Sequence, residues 1–133
     1  MFKGIDHIGI AVSSIGQSIE FYRDVLGMTL REIEEVPEQH ARIAFITVGP
    51  TNLEFLEPTS PDSPIAKFIE KKGCGVHHVA VEVDDLESLL GGLKAKGVRL
   101  INEKPVHGAG GKLIAFVHPS STGGILLELC QQR

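Results

Sequence analysis

The chain repeats itself, and the repeat limits what it can fold into. Ile5-Asp6-His7-Ile8-Gly9-Ile10-Ala11-Val12 returns 71 residues later as Val76-His77-His78-Val79-Ala80-Val81-Glu82-Val83, and each copy runs into a capped, amphipathic helix. Each copy also closes on a strand with a carboxylate, Asn52-Leu53-Glu54-Phe55-Leu56 in the first and Leu126-Leu127-Glu128-Leu129 in the second. His7 precedes Glu54 by 47 residues and His78 precedes Glu128 by 50. Two similar units are therefore expected, each offering one imidazole and one carboxylate, and together they supply four ligands for a metal.

The local signals agree with a duplication. Ser14-Ile15-Gly16-Gln17 has the S-x-x-Q capping form, and Ile15, Ile19, Tyr22 and Leu26 recur at helical spacing up to Gly27. In the second copy Asp84-Asp85-Leu86-Glu87 offers the cap, Leu86, Leu89 or Leu90, and Leu93 form the stripe, and Gly97 ends it. After each helix we expect a short extended piece (28–33; 98–101), a polar loop and two strands, 42–48 with 52–56 and 113–117 with 125–129. Each copy reads β-α-β-β-β. Ser63 as cap, Pro64 in the first turn and Gly73 as stop predict a connecting helix. Repeat one spans about 4–58, the connector about 59–74 and repeat two about 75–131, all in one domain over 1–133.

Strand alternation sorts the side chains. Ile8, Ile10 and Val12 share the face that packs under the helices, which sends His7, Gly9 and Ala11 to the other. In the second copy Val79, Val81 and Val83 take the helix face, and His78, Ala80 and Glu82 the opposite one. His78, not His77, is thus the partner of His7. Glu54 and Glu128 lie between apolar neighbours that point away from them, so both carboxylates join the histidines. Carboxylates are rarely buried unless paired or metal-bound, and a repeated arrangement is hard to explain as independent solvated groups. His77, His107 and His118 lack a repeat partner on that face and His40 lies in a loop, so these four read as structural or surface residues.

Composition removes other classes. Cys74 and Cys130 form no CxxC or CxxxC pattern, which argues against a disulfide framework or a zinc ribbon and fits a reducing cytoplasm. No apolar run approaches a membrane span and no targeting segment is read, so a cytoplasmic protein is expected. A net charge of −4, no Trp and one Tyr provide neither a basic stripe nor a stacking platform for nucleic acid. A small-molecule partner is expected. Two imidazoles with two carboxylates suit a divalent first-row ion, and open positions on it suit a bidentate oxygen substrate. Such an ion acts as a Lewis acid when a proton leaves carbon next to a carbonyl.

The residues resemble the vicinal-oxygen-chelate superfamily and, within it, the methylmalonyl-CoA epimerases. Asp6 to Val12, Glu34-Glu35-Val36-Pro37-Glu38-Gln39 and Gly75 to Ala80 carry the resemblance. So do Val83-Asp84-Asp85 and Leu127-Glu128-Leu129. Asp62-Ser63-Pro64-Ile65-Ala66-Lys67-Phe68 and His118-Pro119-Ser120-Ser121-Thr122-Gly123-Gly124 are the runs most specific to the epimerases. The resemblance implies an α+β fold in which two βαβββ modules form a cup-shaped mixed sheet. It implies epimerisation of (2R)- and (2S)-methylmalonyl-CoA through a metal-stabilised enolate, linking propionyl-CoA and succinyl-CoA metabolism. His7, Glu54, His78 and Glu128 are carried over as metal ligands, and Glu128 also as an acid/base group. The metal is divalent, cobalt foremost, with manganese, nickel, zinc or magnesium also accommodated. A homodimer acting on an acyl-CoA is expected, without nucleic acid or membrane.

One position departs from the pattern. Some members place the second acid/base, a Glu, where this chain has Ile43. Glu54 is the substitute by face and symmetry, with Glu38 and His40 weaker. The rival readings are glyoxalase I, which uses the same ligand set on a glutathione adduct, a metal-free binding protein of the same fold, and a purely structural role. The Gly-rich loop Val106 to Lys112 is expected to border the substrate.

Overall fold

The computed structural model describes all of residues 1–133 and divides into two compact units, His7–His77 and Met1–Asp6 with His78–Arg133. Each unit follows the β-α-β-β-β order.

In the first unit β1 (Phe2–Ala11), of which His7–Ala11 belongs here, is followed by α1 (Ile15–Ile19), β2 (Thr29–Val36), β3 (Ala41–Val48), β4 (Thr51–Pro58) and α2 (Pro64–Lys72). β2 pairs antiparallel with β3 and β3 with β4, while β4 runs parallel to β1 with Glu54 beside Gly9. The Ser14 hydroxyl accepts the Gln17 amide at 3.2 Å, as the capping form predicts. Ile15 and Ile19 then bury against Ala44, Ile46 and Phe55, with Ile10, Val12 and Leu53 packed around them. That is the helix face, and its alternation leaves His7, Gly9, Ala11 and Glu54 on the other. Leu26, however, is exposed rather than part of the stripe. The helix continues over Glu20–Val25 as π-helix, with the Leu26 amide bonding five residues back to Phe21. The wider turn shifts the phase after Tyr22 and turns Leu26 outward. α2 forms as expected, with the buried Ser63 hydroxyl accepting the Ile65 amide and Gly73 ending the helix at φ 79°.

In the second unit β5 (Gly75–Val83), from His78 on, leads to α3 (Leu86–Ala95), β6 (Val106–His107), β7 (Leu113–Val117) and β8 (Leu127–Gln131). β8 runs parallel to β5 with Glu128 beside Ala80, and antiparallel to β7. Asp85 caps α3 through the Ser88 amide, and Leu86 and Leu90 bury against Val83, Ala115, Val117 and Leu129. On the other face Ala80, Ile114, Cys130 and Phe116 cluster.

The extended piece expected at 98–101 lies along β7, with the His118 amide donating to Arg99 and the Ile101 amide to Phe116, but it goes no further. Leu100 makes a single bridge to Val117, and the Asn102 side chain then takes the Phe116 amide at 2.8 Å, occupying the donor a continuing strand would need. Pro105 has no amide to give. The edge of β7 is paired instead by Val106 and His107. The strand after the first helix is, by contrast, longer than expected, running along β3 from Thr29 to Val36 with one irregularity between Leu30 and Glu32.

Each unit also ties its last strand to the start of its helix. The Ile15 amide donates to the Glu57 carboxylate at 2.8 Å, and the Leu86 amide to the Gln131 side chain at 2.7 Å. These satisfy amides that a helix leaves open at its N-terminus.

Candidate metal centre

The four residues expected as ligands are all buried, at 3, 3, 6 and 5% exposure for His7, Glu54, His78 and Glu128. In the first unit His7 Nδ1 lies 3.1 Å from Glu54 Oε2. In the second His78 Nε2 lies 3.2 Å from Glu128 Oε1.

The surroundings of the two pairs match strand for strand. Glu54 has Gly9 beside it on the parallel strand and Phe45 opposite on the antiparallel one. Glu128 has Ala80 and Phe116 in the same places. Gly9 stands two residues after His7, and Ala80 two after His78. The small residue leaves room for the imidazole to meet the carboxylate. The phenyl ring keeps water away, and Phe116 meets the His78 ring edge-on at 5.8 Å.

This donor set fits a divalent cation. Removing a carboxylate from water costs several kcal/mol unless charge and hydrogen bonds compensate it, and a neutral imidazole offers only one N–H. A cation compensates fully. Two donors at right angles on one ion, each about 2.1 Å from it, stand about 3 Å apart, and the nitrogen–oxygen separation in each pair is close to that. Imidazole and carboxylate without thiolate also suit an open site better than a closed structural one.

Ile43 is buried, opposite Leu56 on the face that carries Glu54 and Phe45, so position 43 offers no proton acceptor. Ile114 takes the equivalent place in the second unit, opposite Cys130. Glu38 and His40 are exposed, His40 with a left-handed backbone at φ 49°. Of the remaining histidines, His77 packs edge-on against Phe68 at 4.8 Å, and His107 is exposed near Arg133. His118 Nδ1 accepts the Ser120 amide and holds the turn Pro119–Ser121.

No local sequence pattern marks Asp6 and Lys112 as partners, 106 residues apart. Lys112 is buried, and its ammonium lies 2.6 Å from Asp6 Oδ2, while Gln132 donates to Asp6 Oδ1. Lys112 thus ends the Gly-rich loop as an anchor rather than a free cation. Gly108 allows this close packing, since a Cβ there would stand 2.8 Å from the Ile114 side chain. Cys130 lies in the same unit. Burial, reinforced by the charges of Asp6 and Glu128, pushes its thiol up to about 12 and keeps it protonated.

Comparison with known proteins gives a consistent picture. The model of the Glyoxalase/Bleomycin resistance protein/Dioxygenase superfamily matches residues 4–129. An uncharacterised protein of Bacillus subtilis, YqjC, is 45% identical, covering 97% of this chain and 92% of its own. The mitochondrial methylmalonyl-CoA epimerase of Mus musculus is 39% identical over 96% of this chain and 72% of its own. Among solved structures, a methylmalonyl-CoA epimerase in complex with methylmalonyl-CoA and NH4+ is 36% identical, with a TM-score of 0.93. The match covers 99% of this chain and 96% of that one. The chain belongs to the glyoxalase superfamily and, within it, to the methylmalonyl-CoA epimerase family.

Proposed function

We propose that the chain is a metal-dependent methylmalonyl-CoA epimerase in which His7, Glu54, His78 and Glu128 hold one divalent cation and Glu128 also moves the proton. One observation carries the reading. Each repeat of a chain from this family buries one imidazole against one carboxylate at equivalent strand positions.

C2 of methylmalonyl-CoA lies between a thioester and a carboxylate, so its proton is the acidic one, and epimerisation requires only that it leave one face and return to the other. Glu128, beside Ala80 and Phe116, sits where little water competes for a proton. Its carboxylate is a buried proton acceptor, which suits it to take the C2 proton. With Ile43 apolar, Glu54 is the group left to serve the opposite face, because it mirrors Glu128 across the repeats. When bound, the cation supplies Lewis acidity to the oxygens flanking C2 and lowers the cost of negative charge there. Cobalt is the first candidate. A cytoplasmic homodimer belongs to the same proposal.

The test is exchange in deuterated water. Purified protein with methylmalonyl-CoA is expected to place deuterium at C2 and interconvert the two forms, and chelation is expected to stop both. Exchange with a glutathione hemithioacetal and none with the acyl-CoA would replace this reading with glyoxalase I.

A further inference from the structure

A buried ion pair lies in the second unit, apart from the candidate ligands and unused by the chemistry proposed for them. The Lys112 ammonium stands 2.6 Å from Asp6 Oδ2, each side chain 10% exposed, and the Gln132 amide donates to Asp6 Oδ1 at 3.1 Å. Both oxygens of the Asp6 carboxylate are thereby held. Lys112 is fixed in turn, because its carbonyl accepts the Gly108 amide at 2.9 Å and Gly108 packs against Ile114 with no room for a Cβ.

The fold does not need a charge pair at this place. In the first repeat the equivalent positions, two residues before Ile43 and four after Glu54, hold Ala41 and Pro58, which face each other across β3 and β4. Lys112 and Gln132 stand two before Ile114 and four after Glu128. One copy thus closes the same strand ends with apolar groups, and replacing a buried ion pair by apolar side chains is often neutral or stabilising. What the pair adds is direction, since a fully satisfied buried polar network holds its members in one arrangement. The residues it fixes adjoin the candidate ligands along the chain. Asp6 is bonded directly to His7, and Gln132 follows β8, the strand that carries Glu128. Consecutive strand residues point to opposite faces, so a backbone rotation that moves the Asp6 side chain moves the His7 imidazole the other way.

We propose that Lys112, assisted by Gln132, is a positioning residue of the metal centre. By holding both oxygens of Asp6 it sets the direction in which the His7 imidazole leaves β1, and through it the affinity and geometry of the bound cation. This rests on the reading of His7, Glu54, His78 and Glu128 as ligands of one divalent ion.

The test titrates cobalt into wild type, Asp6→Leu/Lys112→Met, Gln132→Ala and Gln131→Ala by calorimetry and records the visible absorption of the bound ion. The double variant should bind cobalt about 10–100-fold more weakly, with an altered absorption band, while its urea unfolding stays close to that of wild type. Gln132→Ala, which keeps the ion pair and removes one donor to Asp6, should weaken binding about threefold. Gln131→Ala is the control, because Gln131 bonds the Leu86 amide instead, and it should bind as wild type does. Wild-type affinity and absorption in the double variant, or an equal loss in Gln131→Ala, overturn the positioning role and leave the ligand reading standing. Should the double variant fail to fold, Gln132→Ala decides by the same two measurements. A wild type that binds no cobalt overturns the ligand reading and the positioning role with it.

Discussion

The two repeats agree where they face a carboxylate and part company at their outer edges. Both surround a buried Glu with His, a small residue and Phe, and both tie the last strand to the first amide of the helix. At the edge, β2 follows β3 over eight residues, whereas the second repeat makes one bridge at Leu100 and resumes at Val106. Lys112 stands two residues before Ile114, and Ala41 two before Ile43, so a buried ion pair in one repeat replaces a small apolar residue in the other. The interior of each repeat is thus built to one chemical plan, while the edges tolerate different solutions.

The largest expected effects come from breaking the shared plan. His7→Ala, His78→Ala and Glu128→Ala should each lower metal content and C2 exchange by about a hundredfold or more, with far-ultraviolet dichroism unchanged. The carboxylates separate the repeats further. Glu128→Gln should cost roughly 10²–10⁴ in exchange through loss of a base. In Glu54→Gln, metal retained with unimpaired epimerisation would make Glu54 a ligand only.

A second comparison concerns the ion pair. Asp6→Ala leaves the Lys112 ammonium buried beside no carboxylate at that position, and urea unfolding should show a loss of about 3 kcal/mol. Replacing both partners, Asp6→Leu with Lys112→Met, should recover most of it. If the double variant is as unstable as the single, the pair is worth more than its desolvation cost.

The helix ties should respond alike in both repeats. Glu57→Ala and Gln131→Ala should each cost about 1 kcal/mol, slightly more for the charged Glu57. A clear loss in only one repeat would mean that the other helix end is held by something else.

The smallest effect is chemical. Iodoacetamide at pH 9 should label the exposed Cys74 and spare Cys130 in the folded protein. A buried thiol raised to about 12 stays neutral there, while its unfolded form ionises. Ionisation of the unfolded Cys130 thiol therefore lowers the stability of the folded state as pH rises from about 9 toward 12, and has no effect well below pH 9.

Much of this was legible because duplication doubles every signal. The faces of His7, His78, Glu54 and Glu128 follow from alternation in strands whose other residues are strongly apolar, and the helices follow from caps and stripes. What escaped depends on distant or non-periodic events. Leu26 was placed by a 3.6-residue period that the π-helical turn interrupts. The extended piece at 98–101 stops short at one side chain, Asn102, which takes the Phe116 amide in place of the backbone. The Asp6–Lys112 pair joins residues 106 apart, and a lysine after glycines carries no sign of burial. The ties at Glu57 and Gln131 did leave a trace, since each stands three residues after its repeat's strand carboxylate.

The central claim is that two like repeats share one ion, and metal stoichiometry tests it most directly. Apo protein titrated with cobalt or manganese, with bound metal counted by mass spectrometry, should take up one ion per chain. His7→Ala alone and His78→Ala alone should each abolish it. Two ions per chain, each lost only with its own repeat's variant, would contradict the account.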